Sequence, residues 1–262
     1  MSPVQHVIEI GPLQLALCLG FVMLAGGASL YHRLGLGRDL AVGTVRTFAQ
    51  LFLMGYVLKF VFEVNFSWLV MLIFTGMITA AVHIIRGRVS ERSIPFVVPT
   101  FVSMLLSYAL VTTVVTAVIV GAKPWWTPRY FIPLAGMIVG NSMTAIAIAL
   151  ERLFSDLKAR RAEVEMKLAL GADYREASQD ILRGAVKAGM IPSINSLMAV
   201  GLVSLPGMMT GQILSGTDPL MAIRYQIVVM LMIVAATSLG AVLVTGLVRR
   251  RCFSPAQRLL LR

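Results

Sequence analysis

The chain has 262 residues, 58% of them hydrophobic and 13% charged, with a net charge of +11 and a mean hydropathy of +0.84. That balance excludes an ordinary soluble domain, where about a quarter of residues are charged, and fits an all-α polytopic membrane protein. The positive charge needs no nucleic acid, because a basic rim facing anionic lipid accounts for it.

A bilayer-crossing helix takes about 20 mostly apolar residues, and seven such runs are predicted in chain order: 12–31, 40–62, 66–85, 95–120, 130–150, 189–214 and 219–248. The first contains Ala-Gly-Gly-Ala-Ser at Ala25–Ser29, which resembles a cleavage site, but Glu9 precedes the run and Arg33 and Arg38 follow it. A signal peptide has a basic start, so an uncleaved span is expected. The second run carries Arg46 and Gln50, at i and i+4 on one helix face, where a charge is costly unless it meets a cavity, a partner or the interface. The fifth holds Asn141 and Ser142 midway, inside "GMIVGNSM". The hairpin "KPWWTPRY" before it reads as an aromatic belt.

With seven spans, the connections 32–39, 86–94, 151–188 and 249–262 share one side and hold 18 of the 23 Lys and Arg residues. The positive-inside rule makes that side cytoplasmic and places the N-terminus outside. The long connection, 151–188, has eight basic and seven acidic residues. Leu153, Leu157, Val164 and Leu168 form an apolar stripe continuing the fifth span, Gly171 ends that helix, and Asp173 caps the next. In that second helix Ala177, Ile181 and Ala185 share a face. The mixed charge fits a protein partner better than a lipid surface, although an amphipathic loop lying on headgroups remains the plainer alternative.

The sixth run is the least regular. Pro192 precedes Asn195 and Ser196, and "SLPGMMTGQILSG" (Ser204–Gly216) sets Ser204, Thr210 and Gln212 around a Pro206-Gly207 break. Irregular backbone at membrane depth survives only beside protein or a water-filled cavity, so a translocation pathway or its hinge is expected here. Met208 and Met209 offer soft sulfur, though methionine also packs membrane helices. Gly136–Gly140 and Gly207–Gly211 have the spacing of close helix contacts.

Soluble chemistry is missing. The sequence has no phosphate-binding loop for ATP and no His or Cys pair at metal-ligand spacing, and His6, His32 and His83 are scattered. Cys18 and Cys252 make no disulfide framework. None of the twelve acidic residues falls mid-span, which argues against a proton relay without excluding sodium coupling through broken helices.

Three stretches carry a family resemblance: "VRTFAQLFLMGYVL" (Val45–Leu58), "PLAGMIVGNSMTAIAIALERL" (Pro133–Leu153), and the segment from Glu165 to Met230 containing "EMKLALGA" and "SLPGMMTGQILSG". They closely resemble a family of ABC-transporter permeases of bacteria and plants that includes an iron exporter and an aluminium-tolerance subunit. The resemblance implies one permease domain over 1–262, paired as a homodimer in the bacterial inner membrane with a separate ATPase subunit that binds the ATP and Mg. This chain itself would bind no cofactor and catalyse nothing. "EMKLALGA" looks like a coupling segment, so Glu165, Ala169, Leu170, Gly171 and Ala172 are the implied ATPase contacts. It departs from the importer pattern, in which Ile-x-Leu-Pro follows the glycine sooner than Ile191-Pro192 does here. The pathway is expected to involve Arg46, Gln50, Asn141, Ser142, Asn195, Ser204, Pro206, Gly207, Met208, Met209, Thr210 and Gln212. The implied cargo is iron or a related metal, free or chelated. The alternatives are a self-sufficient secondary transporter or channel, a membrane scaffold, or export of an organic anion such as a sugar nucleotide, which Arg46 and the lack of intramembrane carboxylates favour.

Overall fold

The computed structural model describes residues 11–261, so His6 and Glu9 lie outside the described residues. The molecule is an all-helical, multi-pass membrane protein. Among the described residues six helices are long and apolar enough to cross a bilayer: α1 (Pro12–Tyr31), α2 (Gly37–Val64), α3 (Ser67–Arg88), α4 (Val97–Val114, continued by a π-helical turn, Val115–Ile119), α5 (Pro128–Ala159) and α10 (Pro219–Arg251). Between the last two come α6 (Arg161–Ala169), α7 (Tyr174–Ala177), α8 (Gln179–Ala199) and α9 (Gly207–Leu214).

The chain forms two compact units, Met1–Asn65 with Leu214–Gly216, and Phe66–Ile213 with Thr217–Arg262. In the first, α1 and α2 make a hairpin whose turn is closed by the Leu36 N–H donating to Ser29 Oγ at 3.1 Å. Ser29 is the buried residue of α1 and Val61 that of α2. Nearly every apolar side chain of this hairpin is therefore exposed.

The second unit is built around α5, which packs against α3, α8 and α10 while α4 packs on α10 and α3. At about 1.5 Å per residue, the 32 residues of α5 and 33 of α10 span well over the ~30 Å of a hydrocarbon core. Both helices therefore project beyond it. The α5–α8 contact is close because Gly189 has no side chain: a Cβ there would sit 2.7 Å from the Ala145 carbonyl oxygen and 2.8 Å from Ala149 Cβ.

The run expected to cross at 189–214 departs from a single helix. α8 begins ten residues earlier, at Gln179, runs without a boundary through Pro192, and stops at Ala199. The chain then turns at Gly201, whose φ of +81° favours glycine, and the Gly201 N–H donates to the Ser204 carbonyl at 3.0 Å. α9 starts only after Pro206, which lacks the N–H a continuing helix needs.

Candidate functional site

A cavity of about 580 Å³ opens within the second unit, between α5, α8, the α8–α9 break and α10. Asn141 and Thr144 of α5, Asn195 and Ser196 of α8, and Ser204 and Pro206 of the break supply its polar and irregular wall, while Met230 and Ile233 of α10 supply an apolar one. The sequence explains why polarity gathers here. Pro192 has no N–H to offer the carbonyl four residues back, and Ser196 Oγ turns inward to the Pro192 carbonyl at 2.9 Å. Asn141 Nδ2 donates to the Met137 carbonyl at 2.8 Å, leaving its oxygen available. The Asn195 amide makes no hydrogen bond with any described residue. No Asp, Glu, Lys or Arg lines the cavity.

Of the pathway residues expected from sequence, the structure thus brings Asn141, Asn195, Ser204 and Pro206 together. Ser142 is buried behind the wall, sharing a 3.0 Å hydrogen bond with Thr237 of α10. Gly207 opens α9, and Thr210 Oγ1 donates to the Pro206 carbonyl at 3.1 Å. Met208 is half-buried and Gln212 stands farther along the same helix. Met209 is buried and lines a separate, apolar cavity of about 370 Å³ with Leu197, Leu205 and Ile227. Arg46 and Gln50 are exposed on α2 of the first unit. Among the described residues no group of three His, Cys, Asp or Glu is placed to hold a metal ion.

At the basic end lies the connection expected to couple to a partner, 151–188. The α6 helix closes at Gly171, with φ of +96°, where the Gly171 and Ala172 N–H groups donate back to the Leu168 and Lys167 carbonyls. Asp173 then caps α7: its Oδ1 accepts the Glu176 N–H at 2.7 Å and Glu176 Oε2 accepts the Asp173 N–H at 3.1 Å. This reciprocal pair is a capping box. The expected apolar stripes are largely internal, for Leu153, Leu157, Val164, Ala177, Ile181 and Ala185 are buried and Leu168 is half-buried. What faces outward is Leu170, 80% exposed, between exposed Ala169 and Gly171, with Ala172 half-buried. Exposed Glu165 is paired with Arg161 at 2.7 Å. Hydrogen bonds from Arg160 and Lys167 hold the Glu163 carboxyl down at about 2, so α6 stays ion-paired on its outer face.

Sequence reasoning missed how this loop is fastened. The C-terminal residues fold back beneath it: Arg161 Nη1 donates to the Leu261 carbonyl at 3.1 Å, the Tyr174 N–H to Gln257 Oε1 at 2.9 Å, and Arg249 Nη1 to Gln179 Oε1 at 3.0 Å. The Tyr174 and Phe253 rings lie 5.6 Å apart, and Leu261 is 1% exposed. Glu91, in the α3–α4 connection, ties in Lys158 of α5 at 2.6 Å.

Comparison with known proteins fits these features. Residues 12–253 match the model of the uncharacterised protein family UPF0014. Over 254 residues the chain is 37% identical to a UPF0014 membrane protein of Synechocystis, covering 97% of this chain and 98% of that one. It is 32% identical over 246 residues to an Escherichia coli protein named as a probable iron export permease, FetB, covering 94% and 93% respectively. It is also 34% identical over 257 residues to the protein ALUMINUM SENSITIVE 3 of Arabidopsis thaliana, covering 95% and 90%. No solved structure matches. By the span of the family match and the length of these likenesses, the chain belongs to the UPF0014 family of membrane proteins.

Proposed function

We propose that this protein is the membrane permease subunit of an ABC transporter, a transport subunit rather than an enzyme, exporting iron or a related metal with ATP hydrolysed on a separate ATPase subunit. One observation carries the reading: α8 is a single helix from Gln179, beside the coupling loop, to Ala199, at the wall of the polar cavity. Packed side chains and rigid helices carry displacement over tens of ångströms, so a push on the loop reaches the cavity without an intervening hinge. Leu170, an apolar knob beside a sharply turned glycine, has the form of a residue that docks in a partner's cleft. The names of the Escherichia coli and Arabidopsis relatives support metal as the cargo class.

In this mechanism ATP binding closes a pair of ATPase subunits beneath a permease homodimer. Closure moves Leu170 and the capped α7, and α8 tilts about its contact with α5 at Gly189. The wall formed by Asn195, Ser204 and Pro206 then changes the side on which the cavity opens. The test is recovery of the tagged chain from native membranes in mild detergent. A stoichiometric ATPase that is lost from the Leu170→Asp variant supports the reading. Recovery of the chain alone, with transport intact in vesicles lacking ATP, would move the assignment to a self-sufficient transporter.

A further inference from the structure

Arg88 is the last residue of α3, and a long cation at a helix end ordinarily extends toward water at the membrane rim. Here, while still exposed, it turns back onto α5. Its Nη1 donates to Thr144 Oγ1 at 3.0 Å, and Thr144 lines the polar cavity. Two residues beyond Arg88, the Ser90 N–H donates to Glu151 Oε2 at 2.8 Å. Glu151 lies seven residues after Thr144 on α5, which is about 10 Å of helix. The guanidinium is thus folded back from the level of Ser90 toward the cavity.

The surrounding charges leave it uncompensated. Glu91 is taken by Lys158, Glu151 by the Ser90 N–H, and the Arg92 guanidinium donates to the Arg86 carbonyl. Among the described residues no carboxylate lies within ion-pair distance of Arg88, and none lines the cavity. Thr144 Oγ1 accepts from one N–H of the guanidinium, so most of the planar donor fork is unspent. Across the cavity the Asn195 amide adds neutral donors. A bare divalent or trivalent cation would find only amide and hydroxyl oxygens here, beside a fixed positive charge.

We propose that Arg88, which does not line the cavity but is bonded to its wall through Thr144, selects charge at its edge, and that the species admitted presents carboxylate or phosphate oxygens, so that a metal cargo travels as an oxyanion chelate. This rests on the transport reading above. Guanidinium pairs with such oxygens in a bidentate fork that an ammonium cannot reproduce. The recognised atoms belong to a small solute; an anionic lipid headgroup shares the chemistry and is the competing source.

The test uses the full chain alone in phosphatidylcholine nanodiscs, with binding of radiolabelled citrate, with and without ferric iron, read by equilibrium filtration. No ATPase is present, so failure here is distinct from failure of the ABC assignment. The wild-type chain should bind citrate or its ferric complex, Arg88→Gln should weaken that binding about tenfold or more, and Arg88→Lys should recover part of it, with all three melting alike. Equal binding by wild type and Arg88→Gln, tight binding of iron without citrate, or no citrate binding by the wild type would each overturn the proposal. So would binding that disappears when phosphatidylglycerol replaces a third of the lipid, since the headgroup would then be the occupant.

Discussion

α10 and the α8–α9 run are both expected from sequence to cross the membrane, yet one is a 33-residue unbroken helix and the other stops at Ala199. The difference is local. α10 carries its proline at the first position, Pro219, where a missing N–H has no consequence. The α8–α9 run has Pro192 inside the helix, Gly201 with positive φ, and Pro206 before the restart. Regularity separates them as well as apolarity. α10 offers the cavity only hydrocarbon, whereas the break offers Ser204 and a bend. The region that resembles a poor membrane helix is the one that supplies the irregular wall of the cavity.

The α5–α8 contact sets the relation between the cavity and the loop, and breaking it should have the largest effect. Gly189→Val places a branched side chain where even a Cβ meets the Ala145 carbonyl at 2.7 Å. Backbone cannot yield as a flexible side chain does, so the cost should exceed about 3 kcal/mol. Little folded protein should survive detergent extraction, read by size-exclusion of the solubilised chain. Gly140→Ala, with nothing within 4 Å of the added methyl, is the control and should elute as wild type does.

Next in size is a change confined to the loop's outer face. Leu170→Asp removes an apolar group from a position that touches little of its own chain, so melting should be unchanged. ATP-driven transport in reconstituted vesicles should fall at least about tenfold if Leu170 is a docking hot spot. A drop in melting temperature alongside lost transport would make Leu170 a structural residue and remove the α8 lever from the mechanism.

The α3–α4 connection provides a middle-sized effect with a pH signature. Glu91 is largely buried, which pushes its carboxyl up, but hydrogen bonds from Lys158 and Ser93 outweigh that and hold it at about 2 against an ordinary 4.5. A carboxyl lowered by folding stabilises the native state above its unfolded value, and that contribution fades as pH falls from 4.5 toward 2. Lys158 is 45% exposed, so water screens the pair and about 1–2 kcal/mol is expected. Glu91→Gln should melt lower at pH 7 and show a shallower loss of stability between pH 5 and 3 (~4 to 8 °C at neutral pH for a small domain, less in one this size). Parallel melting curves for both proteins across that range would contradict the pairing.

Local chemistry explains what the sequence made legible. Asp173 and Glu176 are three residues apart and cap through their own backbone, and Gly171 turns within its own helix end, so their roles follow from spacing. Leu153, Leu157 and Val164 are buried as their periodicity requires. The helix start expected near Gly189 is displaced because the apolar run begins there whereas α8 already starts at Gln179, and the role of Gly189 as a contact between helices needs a second sequence segment to be visible. The same holds for Arg88 with Thr144, 56 residues apart, and for Arg161 with Leu261, 100 residues apart. Both are long-range hydrogen bonds with no periodic trace. Met208 and Met209 draw attention for their sulfur, yet Met209 faces an apolar cavity whose walls only the fold assembles.

The smallest prediction sharpens the opening contrast most, because the same substitution should act with opposite sign in the two helical runs. Gly246 lies inside α10 with nothing within 4 Å of an added methyl, so Gly246→Ala trades a flexible residue for a good helix former and should stabilise by about 0.5–1 kcal/mol. Gly201 is equally free of neighbours, but its φ of +81° forces an L side chain into the left-handed region, and Gly201→Ala should destabilise by about 1 kcal/mol. Neither change removes a contact, so the pair isolates backbone conformation from packing. Thermal melting of the two variants in the same detergent reads the signs directly. If Gly201→Ala were to stabilise as Gly246→Ala does, the chain at 200–206 would tolerate helix, α8 and α9 would join, and Ser204 and Pro206 would leave the cavity wall. Opposite signs mean the break is fixed by the sequence and available as the bend on which the cavity depends.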